Sequence, residues 1–269
     1  AKYQLWINQQ REIINKESVE HRIGDCNLDQ CQKDCTRMAE NVDLLLANNS
    51  TNIESFRLMN SAMFIQLWHS QKSTNDIIDC DFYKTVDDRL FGNTSAAWRP
   101  FQLAFILLNL DGIIQRNDDP DWKSRNELVD LVWFPTGGGK TEAYLGIIAL
   151  SIIYRRKTCS KNGGGTSAIM RYTLRLLATQ QFQRAMRLIL ALEQLRRWDL
   201  YALGDEAISI GLFVGDNSLP NKATDLLKEC KKWNTIINGI RQESKIPLDR
   251  CPYCGEPLKY DNVGSETAP

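Results

Sequence analysis

Over residues 1 to about 97, apolar positions recur at helical spacing and never alternate as a half-buried strand would. In SFRLMNSAMFIQLWHS, residues Phe56, Met59, Met63, Ile65 and Leu67 form a stripe rich in Met and aromatics. Such a stripe is ordinarily helix core, not a cofactor box. The polar start, AKYQLWINQQREIINKE, and the segment NLDQCQKDCTRMAENVDLLLAN also read as helices, the second running into an Asn-rich loop. An all-helical N-terminal domain over residues 1–97 is the expectation.

Near Trp98 the texture changes. AAWRPFQLAFILLNLDGIIQ places Pro100 where the first turn of a helix tolerates it and then turns strongly apolar. After the acidic break RNDDPDWKSRN comes ELVDLVWF, an apolar run suited to a strand buried on both faces. Helix Lys140–Lys157, strand SAIMRYT, helix Leu174–Trp198 and strand AISIGLFVG follow. Strands alternating with helices predict an α/β fold with a parallel sheet, here a P-loop lobe over residues 98–245.

Composition narrows the class without naming a ligand. The chain has 269 residues, 43% of them hydrophobic, enough for a substantial core, and its formal net charge is zero. The total hides an asymmetry: Lys and Arg crowd residues 155–197, where Glu193 is the single acid. Local field matters more to a polyanion than the sum does. No signal-peptide pattern opens the chain, and the longest apolar run, near Ile147–Tyr154, is too short to span a bilayer. A soluble cytoplasmic protein with reduced thiols and no membrane partner is expected.

The chemistry concentrates in VWFPTGGGKTEAY, Val132–Tyr144. Gly139, Lys140 and Thr141 fit the end of the general phosphate-loop pattern, while Phe134 stands where its first glycine would be. What touches phosphate survives. Backbone N–H groups across Thr136, Gly137, Gly138 and Gly139 can face an anion, and the following helix presents its positive end there, through Lys140, Thr141 and Glu142. Lys140 would reach the β- and γ-phosphates of ATP, and the Thr141 hydroxyl would ligate Mg²⁺.

The variant PTGGGKT resembles motif I of superfamily 2 helicases and translocases, which do without the first glycine. Upstream, WRPFQ resembles the Q motif, which implies adenine recognition by Gln102. Downstream, MRYTLRLLATQQ resembles motif Ia, the turn that holds a nucleic-acid backbone. It implies DNA contacts from Arg171, Arg175 and Gln180, with Arg184 and Arg187 one turn apart on the helix beyond. A solvated helix face is the plain alternative, and it is preferred for Arg196 and Arg197. FRLMNSAMFIQ, WRPFQLAFILL, VWFPTGGGKTEAYLG, MRYTLRLLATQQFQRA and IGLFVGDNSLP, in this order, resemble the DrmA family, the helicase-like subunits of bacterial DISARM anti-phage systems. The resemblance covers roughly residues 50–260. It implies a RecA-like P-loop lobe, an ATP-driven hydrolase acting on DNA, and a second, DrmB-like subunit as partner.

Parts of such a motor are missing. Asp205 and Glu206 in GDEAI mimic an acidic Mg²⁺-holding box, but a helix end precedes them where a strand should, so they are set aside. No second lobe fits in the remaining residues, and a truncated N-terminal piece of a larger protein is expected. Residues 246–269 begin a knuckle: Cys251 and Cys254 in CPYCG have the spacing by which two thiolates grip one zinc, half of a four-ligand site. A redox pair and no role at all stay open beside zinc. Cys26, Cys31 and Cys35 read as buried structural thiols. Three functions compete: an ATP-dependent DNA translocase, a non-catalytic nucleotide-binding scaffold that docks a partner, and a less favoured small-molecule kinase.

Overall fold

The computed structural model describes residues 2–14, 21–47, 50–71, 97–114, 129, 131, 139–159, 163–172, 175–198, 202–214, 220, 222–237, 240–241, 245, 248 and 250–258. Helices dominate them: α1 Lys2–Ile14, α2 His21–Leu46, α3 Ser50–Gln71, α4 Pro100–Leu108, α5 Leu110–Ile113, α6 Lys140–Thr158, α7 Arg175–Arg197 and α8 Ala223–Asn234. The chain packs as two compact units. The first takes residues 1–60 and 96–163, the second residues 61–95 and 164–269, so α3 contributes to both.

In the first unit α2 lies against α1, α4 and α5. Gln4 and Gln32 exchange amide hydrogen bonds of 2.6 and 2.8 Å across the α1–α2 seam. Asn41 donates to the Leu107 carbonyl at 2.8 Å, tying α2 to α4. The buried residues Ile106, Leu110 and Ile114 recur every four positions and carry one apolar face from α4 into α5. The single helix expected across this stretch is interrupted at Asn109. There the backbone leaves helical geometry and the side chain bonds back to the Phe105 carbonyl at 2.8 Å.

Helix α6 is buried over much of its circumference. A glycine lets α4 approach it. A Cβ on Gly146 would lie 3.0 Å from the Trp98 ring and 3.1 Å from Ile106, so any larger residue would push α4 away. Trp98 is fixed in turn by its indole N–H, which donates to Asn60 at 2.6 Å.

In the second unit α7 buries Ala185, Leu188, Leu192 and Leu195, spaced three and four apart along one face. The described sheet is a two-residue antiparallel ladder, Ile236 opposite Arg241 and Ile237 opposite Ile240. The parallel sheet expected of a RecA-like lobe is not seen among the described residues. Residues 167–172 and 207–214, expected as strands, carry no ladder. Ile169 and Phe213 in them are exposed, as are Val129 and Leu131 of the third expected strand. A parallel strand needs hydrogen-bonded neighbours and cover on both faces. Here α7 meets part of that backbone demand with side chains. Arg196 donates to the carbonyls of Gly204 and Asp205, and Glu193 accepts the Ile208 N–H at 2.9 Å. Among the described residues the all-helical expectation for the N-terminal region fits, with 72–96 outside them.

Candidate functional site

The candidate nucleotide loop enters α6 through Gly139, which takes the left-handed conformation, φ 91° and ψ 31°. Side chains rarely tolerate that φ, and space forbids one as well. A Cβ there would lie 2.8 Å from the Gln102 amide nitrogen and 3.3 Å from the Glu142 carboxylate. Thr136, Gly137 and Gly138 lie outside the described residues, so the described part of the loop is Gly139–Glu142.

Gln102 is only 5% exposed and its amide has a fixed orientation. Nε2 donates to the Gly139 carbonyl at 2.7 Å, and Oε1 accepts the backbone N–H of Arg99 at 2.9 Å. The second bond is one arm of a capping box closing the start of α4, with Gln102 at the third helical position. One side chain therefore closes the start of α4 and fixes the residue that starts α6. An amide has two N–H groups and two lone pairs, and these bonds use one of each.

Beyond Gly139, the first N–H groups of α6 have no partner within the helix and carry its positive pole. Lys140 and Thr141 open the helix, half-exposed. Tyr144 donates its hydroxyl to Thr141 Oγ1 at 3.0 Å, one turn along, and orients that oxygen. The start of α6 accordingly brings together a cation, a hydroxyl, a helix N-terminus and a glycine that lets backbone come close, groups of the kind that suit a phosphate. Sequence reasoning missed Arg99, whose guanidinium lies 3.9 Å from the same Cβ position at Gly139. It also missed Tyr144 and Gly146. All three sat within the quoted motifs, where motif matching assigns nothing to them.

The basic face divides into two kinds of arginine. Arg171 and Gln180 are exposed and Arg184 is half-buried. Arg175 opens α7, and its side chain lies outside the described residues. Arg187 is committed to structure: Nε donates to the Pro252 carbonyl at 2.9 Å, and burial, then the neighbouring Arg184 charge, pulls its pKa down. Arg196 is likewise no solvated residue. It grips Glu193 through two nitrogens at 2.7 and 2.6 Å, while the more exposed Arg197 reaches the same carboxylate at 2.9 Å. Asp205 and Glu206 sit exposed on a bend with no strand beside them.

Cys251 and Cys254 occupy a tight turn. The Gly255 N–H donates to the Cys251 carbonyl and the Cys251 N–H to the Glu256 carbonyl, both at 2.8 Å. Gly255 makes the turn possible with a φ of 77°. Burial raises the pKa of the Cys254 thiol, with the neighbouring Cys251 adding to the rise. Cys230 is buried on α8, and no cluster of three metal-binding side chains gathers among the described residues. The N-terminal thiols differ from expectation: Cys26 is exposed and Cys31 and Cys35 half-buried. Burial raises the pKa of Tyr3 on α1, as does its hydrogen bond with Cys31. No described helix is long and apolar enough to cross a membrane.

No family model matches the chain. It is 39% identical over 266 residues to DISARM protein DrmA of Bacillus paralicheniformis, an alignment that takes in 94% of this chain. Over that region the chain is DrmA-like. The resemblance carried by the loop and its flanking segments thus extends along nearly the whole sequence. The chain spans 22% of the length of that DrmA.

Proposed function

We propose that this chain carries the nucleotide site of a DrmA-type subunit in an anti-phage defence system, an ATP-dependent translocase or helicase-like ATPase that acts on DNA with a second, DrmB-like subunit. The relationship to DISARM protein DrmA supports the defence role. The observation that carries the nucleotide reading is the left-handed Gly139 locked to Gln102 at the start of α6, with Lys140 and Thr141 next in the chain. A glycine that excludes a side chain for two separate reasons, set before a helix N-terminus, suits a backbone that must approach phosphate closely.

ATP supplies the phosphoryl group whose transfer to water drives the motor. Lys140 neutralises the β- and γ-phosphates, Thr141 offers its hydroxyl to Mg²⁺, and Glu142 stands beside that ligand. Gln102 fixes the exit of the loop through the Gly139 carbonyl and has one N–H and one lone pair left for adenine. Arg171, Arg175, Gln180 and Arg184 contact the DNA backbone, reading charge and not sequence.

The test is ATP turnover by the full-length protein with and without DNA, beside Lys140→Ala. DNA-stimulated turnover that falls to background in the variant is the expected outcome. Turnover absent from the unmodified protein even with DNA would replace the motor with a nucleotide-binding scaffold. Turnover unchanged in the variant would place the nucleotide elsewhere.

A further inference from the structure

The segment Trp98–Gln102 is attached to α6 at two levels. Gln102 holds the Gly139 carbonyl at the start of the helix. Two turns further on, roughly 10 Å along the axis, the Trp98 ring lies against Gly146. The fit there is close. A Cβ on Gly146 would meet ring atom Cη2 at 3.0 Å and Ile106 Cδ1 at 3.1 Å. One attachment would leave the segment free to pivot about Gly139. Two fix its direction.

The ring itself is aimed from a third helix. Its indole N–H donates to Asn60 Oδ1 on α3 at 2.6 Å. The Asn60 amide is oriented in turn, because Nδ2 donates to the Phe56 carbonyl one turn back at 2.8 Å. Trp98 is half-buried and stands outside α4, directly before the extended Arg99 that caps it. Its contacts therefore govern how the chain enters α4, whose third residue is Gln102. Direction matters at Gln102. Beyond its bonds to Gly139 and Arg99, the amide keeps one N–H and one lone pair. That pair matches adenine, which presents a donor beside an acceptor on one edge, whereas guanine presents two acceptors there. Such a contact weakens steeply as its angles depart from linear.

We propose, resting on the nucleotide reading above, that Trp98 is the positioning residue for base recognition. Held by Asn60 and seated on Gly146, it sets the direction in which Gln102 presents its remaining donor and acceptor. Trp98 touches no nucleotide in this role and acts through Gln102. Selectivity for adenine over guanine then depends on a tryptophan four residues before the glutamine that reads the base, and on an asparagine of another helix.

The test is calorimetric titration of the full-length protein with ATP and with GTP. The unmodified protein should bind ATP more tightly than GTP. Trp98→Phe removes the indole N–H and the ring atoms that meet Gly146, and should weaken ATP binding about tenfold with GTP binding unchanged. Asn60→Leu leaves the ring and removes its acceptor. It should shift the preference in the same direction, and it carries the test if Trp98→Phe does not fold. Gly146→Ala should cause the loss from the side of α6. Adding Trp98→Phe to it should cost little further, because a phenyl ring lacks the atoms that the new methyl meets. A merely structural role would lower the melting temperature and leave the ratio of ATP to GTP affinity alone. An unchanged ratio in Trp98→Phe and Asn60→Leu overturns the proposal, and so does an equal loss for both nucleotides. Equal binding of ATP and GTP by the unmodified protein overturns it while the phosphate site stands. Binding of neither removes the nucleotide reading, and the proposal with it.

Discussion

Gly139 answers to two constraints at once, and they can be separated experimentally. Its φ of 91° would strain any other residue by about 1–3 kcal/mol. A Cβ would in addition press on Gln102 Nε2 at 2.8 Å and displace the amide that closes α4. Gly139→Ala should therefore destabilise the first unit by about 2–4 kcal/mol, strain and lost hydrogen bonds together, and abolish ATP binding. Gln102→Ala should relieve the clash and leave the strain, so the double variant should be more stable than the sum of the two single changes implies. Chemical denaturation of all four proteins measures the coupling, and calorimetric titration measures ATP. Wild-type ATP affinity in Gly139→Ala would dismiss the loop as the nucleotide site. The bond from Gln102 to Gly139 spans 37 residues of sequence, and for that reason the motif revealed both residues but not their contact.

At the scale of elements, legibility follows how local the cause is. Helices α6 and α7 were readable to within a residue at both ends. Helices α1, α2 and α3 were readable as helices, though α2 and α3 begin well before the stretches read as helical. The helical period that reveals them lies inside each segment. The strands were not. A strand exists only when another segment supplies its hydrogen bonds, and an apolar run such as AISIGLFVG says nothing about what that segment is. In this chain α7 takes part of the role, through Glu193 and Arg196. Glu193 was visible in the sequence as the single acid in a basic stretch, yet its function was not, because the Ile208 N–H and the Arg196 fork meet it only after folding. Its pKa falls to about 2 from an ordinary 4.5, chiefly because Arg196 bonds the charged form, against the opposing effect of burial. A depressed carboxylate pKa stabilises the fold above its unfolded value and loses that contribution as pH drops through the folded value. The drop corresponds to roughly 3 kcal/mol, present above about pH 4.5 and gone near pH 2. Glu193→Gln should lower the melting temperature at neutral pH, flatten the stability profile across that window and speed amide exchange at Ile208. A profile as steep as wild type would mean that another carboxylate governs the acid transition.

Across the whole chain, a formal net charge of zero supplies no general attraction to a polyanion, so DNA binding as proposed would have to come from placement. Arg171 is exposed and Arg184 half-buried, and Arg187, one turn beyond Arg184, bonds the Pro252 carbonyl. Sequence spacing put Arg184 and Arg187 on one face and could not distinguish them. If Arg171 and Arg184 neutralise phosphates, each released contact lowers the salt slope of binding by about one unit. Arg171→Ala and Arg184→Ala in the full-length protein should each show that loss on DNA of any sequence. Arg187→Ala should instead loosen the cysteine turn, raising the alkylation rate of Cys251 and Cys254, with little change in salt slope. Fluorescence anisotropy across a salt series, run beside the alkylation assay, separates the two roles. Equal slopes for Arg184→Ala and the unmodified protein would return that arginine to the solvated surface. A lost unit of slope in Arg187→Ala with the turn intact would mean that Pro252 releases its arginine when DNA arrives.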